Sequence, residues 1–276
     1  MAVTNFIPEV WSAYILERYL ATNVFAALLD RKYEGEATKG NTVHIPGVVA
    51  PTVKDYKAAG RTTSADDISD TGVDLVIDQE KSIDFIVDDI DNAQANHDLL
   101  PLYTEAAGDS LSADADKFIA NMLVANATAM PWTSNPTTGD GAFDVFRDAR
   151  KQLNKANVPD DGLRVAVVNA EMEGLLNGAD SKLTSYDTSG DTAGLRNATL
   201  GQLLRFRVLT SNNLPEMDSP QGVFFHLRAA AFVSQIDEME GMRAQNKFAD
   251  RVRGLHVYGG KVVKPTGVVV FNRAGS

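Results

Sequence analysis

The sequence predicts an α+β chain, extended and built in two parts. Three observations carry this. Residues 73–87 alternate apolar and acidic side chains, residues 97–127 return apolar side chains every three or four positions, and residues 223–272 hold several short apolar runs separated by turn formers.

The alternating run is the cleanest pattern in the chain. Val73, Leu75, Ile77, Ile83, Phe85 and Val87 fall on odd positions, whereas Asp74, Asp78, Glu80, Asp84 and Asp88 fall on even ones. A period of two gives a strand with one buried and one solvated face. About fifteen residues at roughly 3.3 Å each reach on the order of 50 Å, more than a compact domain needs. The second strand candidate, Thr42–Val49, pairs with it as a protruding ribbon. An isolated two-stranded ribbon is marginal in water, so this one is expected to lie against another surface. Between the two, 54–72 is polar, acidic and poor in groups to bury, and reads as a mobile loop.

Ahead of the ribbon, residues 8–30 place Val10, Tyr14, Ile15, Leu16, Leu20, Val24, Phe25 and Leu28 at helical spacing behind Pro8. Such an arm packs on its own domain or docks on a neighbour, and the residues alone leave both open. Beyond the ribbon, Leu99, Leu102, Tyr103, Ala106, Leu111, Phe118, Ile119, Met122 and Leu123 predict a long helix over 97–127, with Pro101 tolerated in its first turn. The turn-rich stretch 131–141 marks a boundary. A helix over 143–157, a strand over 163–169, a helix over 170–177, a loop over 178–198 and a strand over 206–211 follow. Strands are then expected at 223–227, 255–258, 261–264 and 268–272, with Gly259-Gly260 as a hairpin turn.

Composition narrows the chemistry. Among 276 residues there is no cysteine, which excludes disulfides, thiolate metal sites and a cysteine nucleophile. Net charge is −11, unlike the basic surface of a tight nucleic-acid reader. No membrane span and no secretory leader are read in it. The histidines, at 44, 97, 226 and 256, are scattered. Gly259-Gly260-Lys261 lacks the spacing of a phosphate loop, and Asp88, Asp89, Asp91 and Asp98 lack the turn glycine of a calcium loop. No catalytic, cofactor-binding or metal-binding residues are assigned, and no cofactor is expected. The charge is uneven: residues 33–95 hold 13 acids against 5 bases, and residues 239–276 hold 7 bases against 2 acids. Copies of such a chain can complement one another, although two solvated faces fit the same numbers.

Phe6-Ile-Pro-Glu-Val-Trp-Ser12, Arg31-Lys-Tyr-Glu-Gly35 and Gly40-Asn-Thr-Val-His-Ile-Pro46 resemble the start of tailed-bacteriophage major capsid proteins. Gly201–Pro215, Phe225-His-Leu-Arg-Ala-Ala-Ala231 and Arg253-Gly-Leu-His-Val-Tyr-Gly-Gly-Lys-Val-Val-Lys-Pro265 resemble its later parts, in the same order. The resemblance implies the capsid-shell fold shared by tailed phages, herpesviruses and encapsulins. Its parts map to an N-terminal arm (1–32), an extended loop (33–92), the spine helix of a peripheral domain (93–131), an axial domain (132–222) and the terminal sheet of the peripheral domain (223–276).

The implied function is structural. Hexamers and pentamers of this chain would close an icosahedral head around double-stranded DNA, assembled in the host bacterial cytoplasm. The lack of a long N-terminal pro-region and of a large insertion domain implies a separate scaffolding protein, or none, and a portal is a further implied partner. Contact with packaged DNA would be non-specific, and there is no membrane partner. An encapsulin-type nanocompartment has the same fold, and a soluble enzyme is the remaining alternative. Candidate subunit-interface residues are Trp11, Tyr14, Leu20, Val73, Leu75, Ile77, Ile83 and Phe85, with Asp74, Asp78 and Asp84 facing Arg251 and Arg253 of a neighbouring copy.

Overall fold

The computed structural model describes residues 24–35, 40–47, 52–58, 60–63, 65, 72–89, 99–132, 134–178, 180 and 201–272. Of the loop expected at 54–72, residues 54–58, 60–63, 65 and 72 are described, and they form turns and irregular backbone, exposed at all but 72; the loop expected at 178–198 beyond 178 and 180 and the arm ahead of Val24 lie outside the described residues.

The predicted ribbon forms. Strands β1 (Thr42–Ile45) and β2 (Val73–Asp88) pair antiparallel, with Val43 opposite Leu75 and Ile45 opposite Val73. Odd positions of β2 point inward and even positions outward along its whole length, as the alternation requires. The ribbon does not protrude alone, however. The far side of β2 pairs with β9 (Ala249–Val262), which pairs with β8 (Ala230–Arg243), giving one antiparallel sheet in the order β1-β2-β9-β8.

This sheet overturns the hairpin expected at Gly259-Gly260, because β9 runs straight through both glycines. The glycines are there for space. A Cβ on Gly259 would lie 2.3 Å from the Val76 carbonyl oxygen and 2.7 Å from Ile77 Cα, beside the bulge between Ile77 and Gln79. On Gly260 it would meet Met122 Sδ at 3.0 Å. The isolated apolar runs expected at 255–258 and 261–264 are thus one strand. β8 was not foreseen at all: Gln235, Glu238, Glu240 and Gly241 are poor strand formers, and long-range pairing with β9 overrides that preference.

Helix α2 (Leu99–Asn126; α1 is Phe25–Leu28) is continuous for 28 residues, roughly 42 Å. It covers the inward face of the long sheet. The Tyr258 hydroxyl donates to Asp114 Oδ2 at 2.6 Å, Phe118 meets the Tyr258 ring edge-on at 5.3 Å, and Leu100 packs with Val87 and Val252.

The other half is a six-stranded sheet in the order β3-β10-β7-β4-β6-β5: β3 (Thr128–Ala129), β4 (Arg164–Val168), β5 (Gln202–Leu203), β6 (Phe206–Thr210), β7 (Gly222–His226) and β10 (Val268–Phe271). Its central strands read as unbroken apolar runs because both faces are covered. Val165, Val167, Val223, Phe225, Val268 and Val270 pack against α1 and α2. Ala166, Val168, Phe224, Val269 and Phe271 pack against α3 (Gly139–Lys155) and α4 (Ala170–Leu176). There Phe146, Phe206 and Phe224 meet edge-to-face, the closest pair at 4.9 Å.

Two buried polar residues tie these parts together. Asn169, at the N-terminus of α4, accepts from the Met172 and Gln221 amides and donates to the Glu216 and Ser219 carbonyls, so its side chain is fully paired. Asp116 of α2 accepts from the Val24 and Phe25 amides, each at 3.3 Å, and from Asn213 Nδ2 at 3.4 Å. It thereby caps α1 from another element. Burial raises the Asp116 carboxyl to about 6 despite these three donors.

Candidate assembly interface

Because α2 takes the inward face of the long sheet, the outward face is left uncovered among the described residues. Register brings its residues into rows: Ile86, Arg251 and Met242; Asp84, Arg253 and Glu240; Ser82 and Leu255. Ile86 is 50% exposed and Leu255 37%. At the end of the β8–β9 hairpin Phe248 is 82% exposed. A groove of about 480 Å³ runs beside it, lined by Ile86, Met242, Arg243, Lys247, Arg251 and others.

The charges on this surface are paired in place. Arg251 Nε donates to Asp84 Oδ1 at 2.8 Å while its Nη2 reaches Asp84 Oδ2. Hydrogen bonding to Arg251 holds the Asp84 carboxyl below its usual value. Arg253 Nε donates to Glu240 Oε2 at 2.9 Å. On the opposite side of the hairpin Arg243 bridges Asp89 and Asp250, at 2.6–2.8 Å. The charge complementarity expected between copies is therefore made within one chain for Asp84 and both arginines. The physical reason is that 73–88 and 249–262 are adjacent strands of one sheet. Asp74 pairs with His44 Nδ1 at 2.7 Å, and Asp78 accepts from Gln79 Nε2 at 3.0 Å.

The apolar candidates separate. Leu75 and Ile77 are consumed by the chain's own core with Val43, Ile45, Ala231 and Val233, so neither presents a free surface. Val73, Ile83 and Phe85 are half-buried on the same inward face; Phe85 stands 6.2 Å from the Tyr103 ring. Trp11, Tyr14 and Leu20 lie outside the described residues. Ile86, Leu255 and Phe248 were missed. One signal was available, since Ile86 interrupts an otherwise polar and acidic series at the even positions from 78 to 88.

Nothing in this geometry resembles a reaction centre. Among the described residues no group of three His, Asp or Glu side chains is placed to hold a metal ion, and no helix is long and apolar enough to cross a membrane. His256 is buried, its Nε2 2.9 Å from Ser234 Oγ, and burial pushes it down to about 4.

Comparison with known proteins accords with a structural surface. The family model for phage capsid protein matches residues 73–271, a span that includes three of the four strands of the long sheet, α2 and the whole six-stranded sheet. A structure from Mycobacterium phage Che8 is 63% identical, covers 92% of this chain and 92% of its own, and superposes with a TM-score of 0.85. The capsid of cyanophage P-SCSP1u, at 17% identity, covers 92% of this chain and 89% of its own with a TM-score of 0.75. A virus-like particle from Pyrococcus furiosus, at 12% identity, covers 94% of this chain and 96% of its own with a TM-score of 0.60, so the fold extends to it as well. No curated protein matches the sequence. A chain matched by that family model over most of its length, and sharing its architecture with phage shells, belongs to the phage capsid protein family.

Proposed function

We propose that this chain is the major capsid protein of a phage head, forming hexamers and pentamers that close an icosahedral shell around double-stranded DNA. The family match over residues 73–271 carries the reading. Its parts are those implied by the resemblance: arm 1–32, extended loop 33–92, spine helix 93–131, axial domain 132–222 and terminal sheet 223–276, with β7 and β10 of the last segment sharing the six-stranded sheet of β4, β5 and β6. The protein works by interface burial and not by catalysis, with the virion as its location and the host bacterial cytoplasm as the place of assembly. A separate scaffolding protein and a portal are its partners in assembly.

The contact surface is the uncovered face of the long sheet, and its occupant is a second copy of the chain. Its arginines are already paired with Asp84 and Glu240 within the chain, and Ile86 and Leu255 stand exposed on the same face, with Phe248 exposed at the hairpin end. Burying such side chains yields roughly 25 cal/mol per Å², and many modest contacts repeated around a shell add up. Trp11, Tyr14 and Leu20 of the arm, and the exposed acids Asp74 and Asp78, extend the contact to further neighbours.

Expression of the full chain with its scaffolding protein, followed by sedimentation and negative-stain microscopy, tests the reading. Closed shells are expected. A compact monomer persisting under assembly conditions overturns it.

A further inference from the structure

Away from the uncovered sheet face, a cleft of about 290 Å³ opens between the loop after α3 and two 3₁₀ turns, Leu227–Ala229 and Pro265–Gly267. The polar side chains lining it are Asn157, His226, Arg228, Lys264 and Thr266, with no carboxylate among them. That is unexpected in a chain with 37 acids against 26 bases. Arg228 and Lys264 are exposed, and neither has an acidic partner among the described residues. We propose that this cleft is a phosphate-binding site, with Arg228 and Lys264 as its charged contacts and Asn157 and Thr266 as neutral donors.

The backbone holds these groups in fixed relation. The Ala229 carbonyl accepts from the Val263 and Lys264 amides at 2.8 and 2.9 Å, which ties the Lys264 backbone to the turn bearing Arg228. A Cβ on Gly267 would lie 2.9 Å from Ala229 Cβ, so the turns touch. Asn157 sits in the left-handed region (φ 55°) as the chain leaves α3, a conformation asparagine tolerates, and the Val158 amide closes back on the Leu153 carbonyl at 3.0 Å.

A buried charge stands behind the wall. Arg164, 1% exposed and directly opposite His226 in the sheet, donates to the Val158 and Pro159 carbonyls, both of cleft residues. Its Nη1 is buried without a hydrogen-bond partner. Asp160 pairs with Arg150 and Arg205, Asp161 with His226 Nε2 at 3.1 Å, and the charges of both acids also act on Arg164. His226 Nδ1 accepts the Arg228 amide, so the ring is wall and not ligand. Two exposed cations and neutral donors lining a cleft without a carboxylate favour an oxyanion, with Arg164 holding the 158–159 wall in place.

The phosphate comes from a nucleic-acid backbone or from free phosphate. Only the first source rests on the packaged-DNA reading. The test uses the full chain and the double variant Arg228→Gln/Lys264→Gln, both at exposed positions, with Arg228→Lys as the charge-retaining control. Inorganic phosphate is titrated by thermal shift against chloride at matched ionic strength, and a short DNA duplex by fluorescence anisotropy across a salt series.

A phosphate-specific rise in midpoint is expected in the wild type and the Arg228→Lys protein and lost in the double variant. The log–log salt dependence of duplex binding should weaken by about 2 in the double variant, with affinity falling on the order of tenfold. Loss of the phosphate response alone supports free phosphate as the ligand, and loss of duplex binding alone supports the polymer. If the double variant matches the wild type in both titrations, the site does not exist. Sedimentation of the same variant keeps the two readings apart: shells with unchanged titrations overturn the cleft alone, and absence of shells from the wild type overturns the capsid reading while both titrations remain readable.

Discussion

Arg251 grips Asp84 diagonally across two neighbouring strands of one chain, Nε to Oδ1 at 2.8 Å, although its direct register partner is Ile86. The pair therefore belongs to the subunit before any neighbour arrives. Arg251→Glu places a second carboxylate beside Asp84 and is expected to lower the subunit's unfolding midpoint by about 1–3 °C. Adding Asp84→Lys restores it without a second copy being present. Both effects shrink as salt rises above about 0.1 M, where screening reaches about 10 Å. Thermal unfolding of unassembled subunit at two salt concentrations checks this.

Gly259→Ala sets a methyl group against the Val76 backbone, which cannot retreat without opening β2 from β9. It should cost about 2–3 kcal/mol, in the range of overpacked cores. Gly174→Ala on α4 meets nothing within 4 Å and should gain about 0.5–1 kcal/mol, since alanine is the better helix former. Denaturant unfolding of the two variants side by side measures the contrast.

That glycine shows where the sequence was legible and where it was not. Local periodicity revealed β2, α2 and the apolar central strands, because each pattern lies within one segment and records one burial environment. Gly259-Gly260 resembled a turn because a turn and a close backbone approach both call for glycine, and only β2, some 180 positions away in the chain, distinguishes them. The same long-range pairing hid β8 and converted the expected contact between Asp84 and Arg251 of different copies into one within the chain. The covered face of β2 was legible as apolar. That the chain covers it with its own residues, Val43, Ile45, Ala231 and Val233 over Leu75 and Ile77 and α2 further along, was not, which is why Leu75 and Ile77 were read as interface and Ile86 and Leu255 were overlooked.

Two buried titrating groups oppose each other in pH. Asp116, raised from 3.8 to about 6, binds its proton more tightly when folded, so its contribution grows more favourable as pH falls from about 6 to 4. His256, lowered from 6.5 to about 4, takes up its proton first in the unfolded chain, so stability is lost over nearly the same window. Each amounts to about 3 kcal/mol and the two largely cancel. Asp116→Asn is therefore expected to lose stability on acidification from pH 7 to 4, and His256→Gln to gain it. Midpoints recorded across that range for the wild type and both variants decide the signs.

Asn169→Ala removes two acceptor and two donor contacts at once and leaves the Met172 and Gln221 amides without their acceptor. About 3 kcal/mol or more is expected, with the loss concentrated where α4 meets the 211–221 segment. Hydrogen exchange at the Met172 and Gln221 amides should accelerate far more than in the centre of α2.

The absence of cysteine makes the central claim directly measurable. Ile86→Cys and Leu255→Cys each introduce a single thiol on the uncovered face of the long sheet, and maleimide labelling compares free subunit with assembled shell. Rapid labelling in the subunit and strong protection in the shell are predicted. Equal labelling in the two states would contradict burial of this face by a second copy.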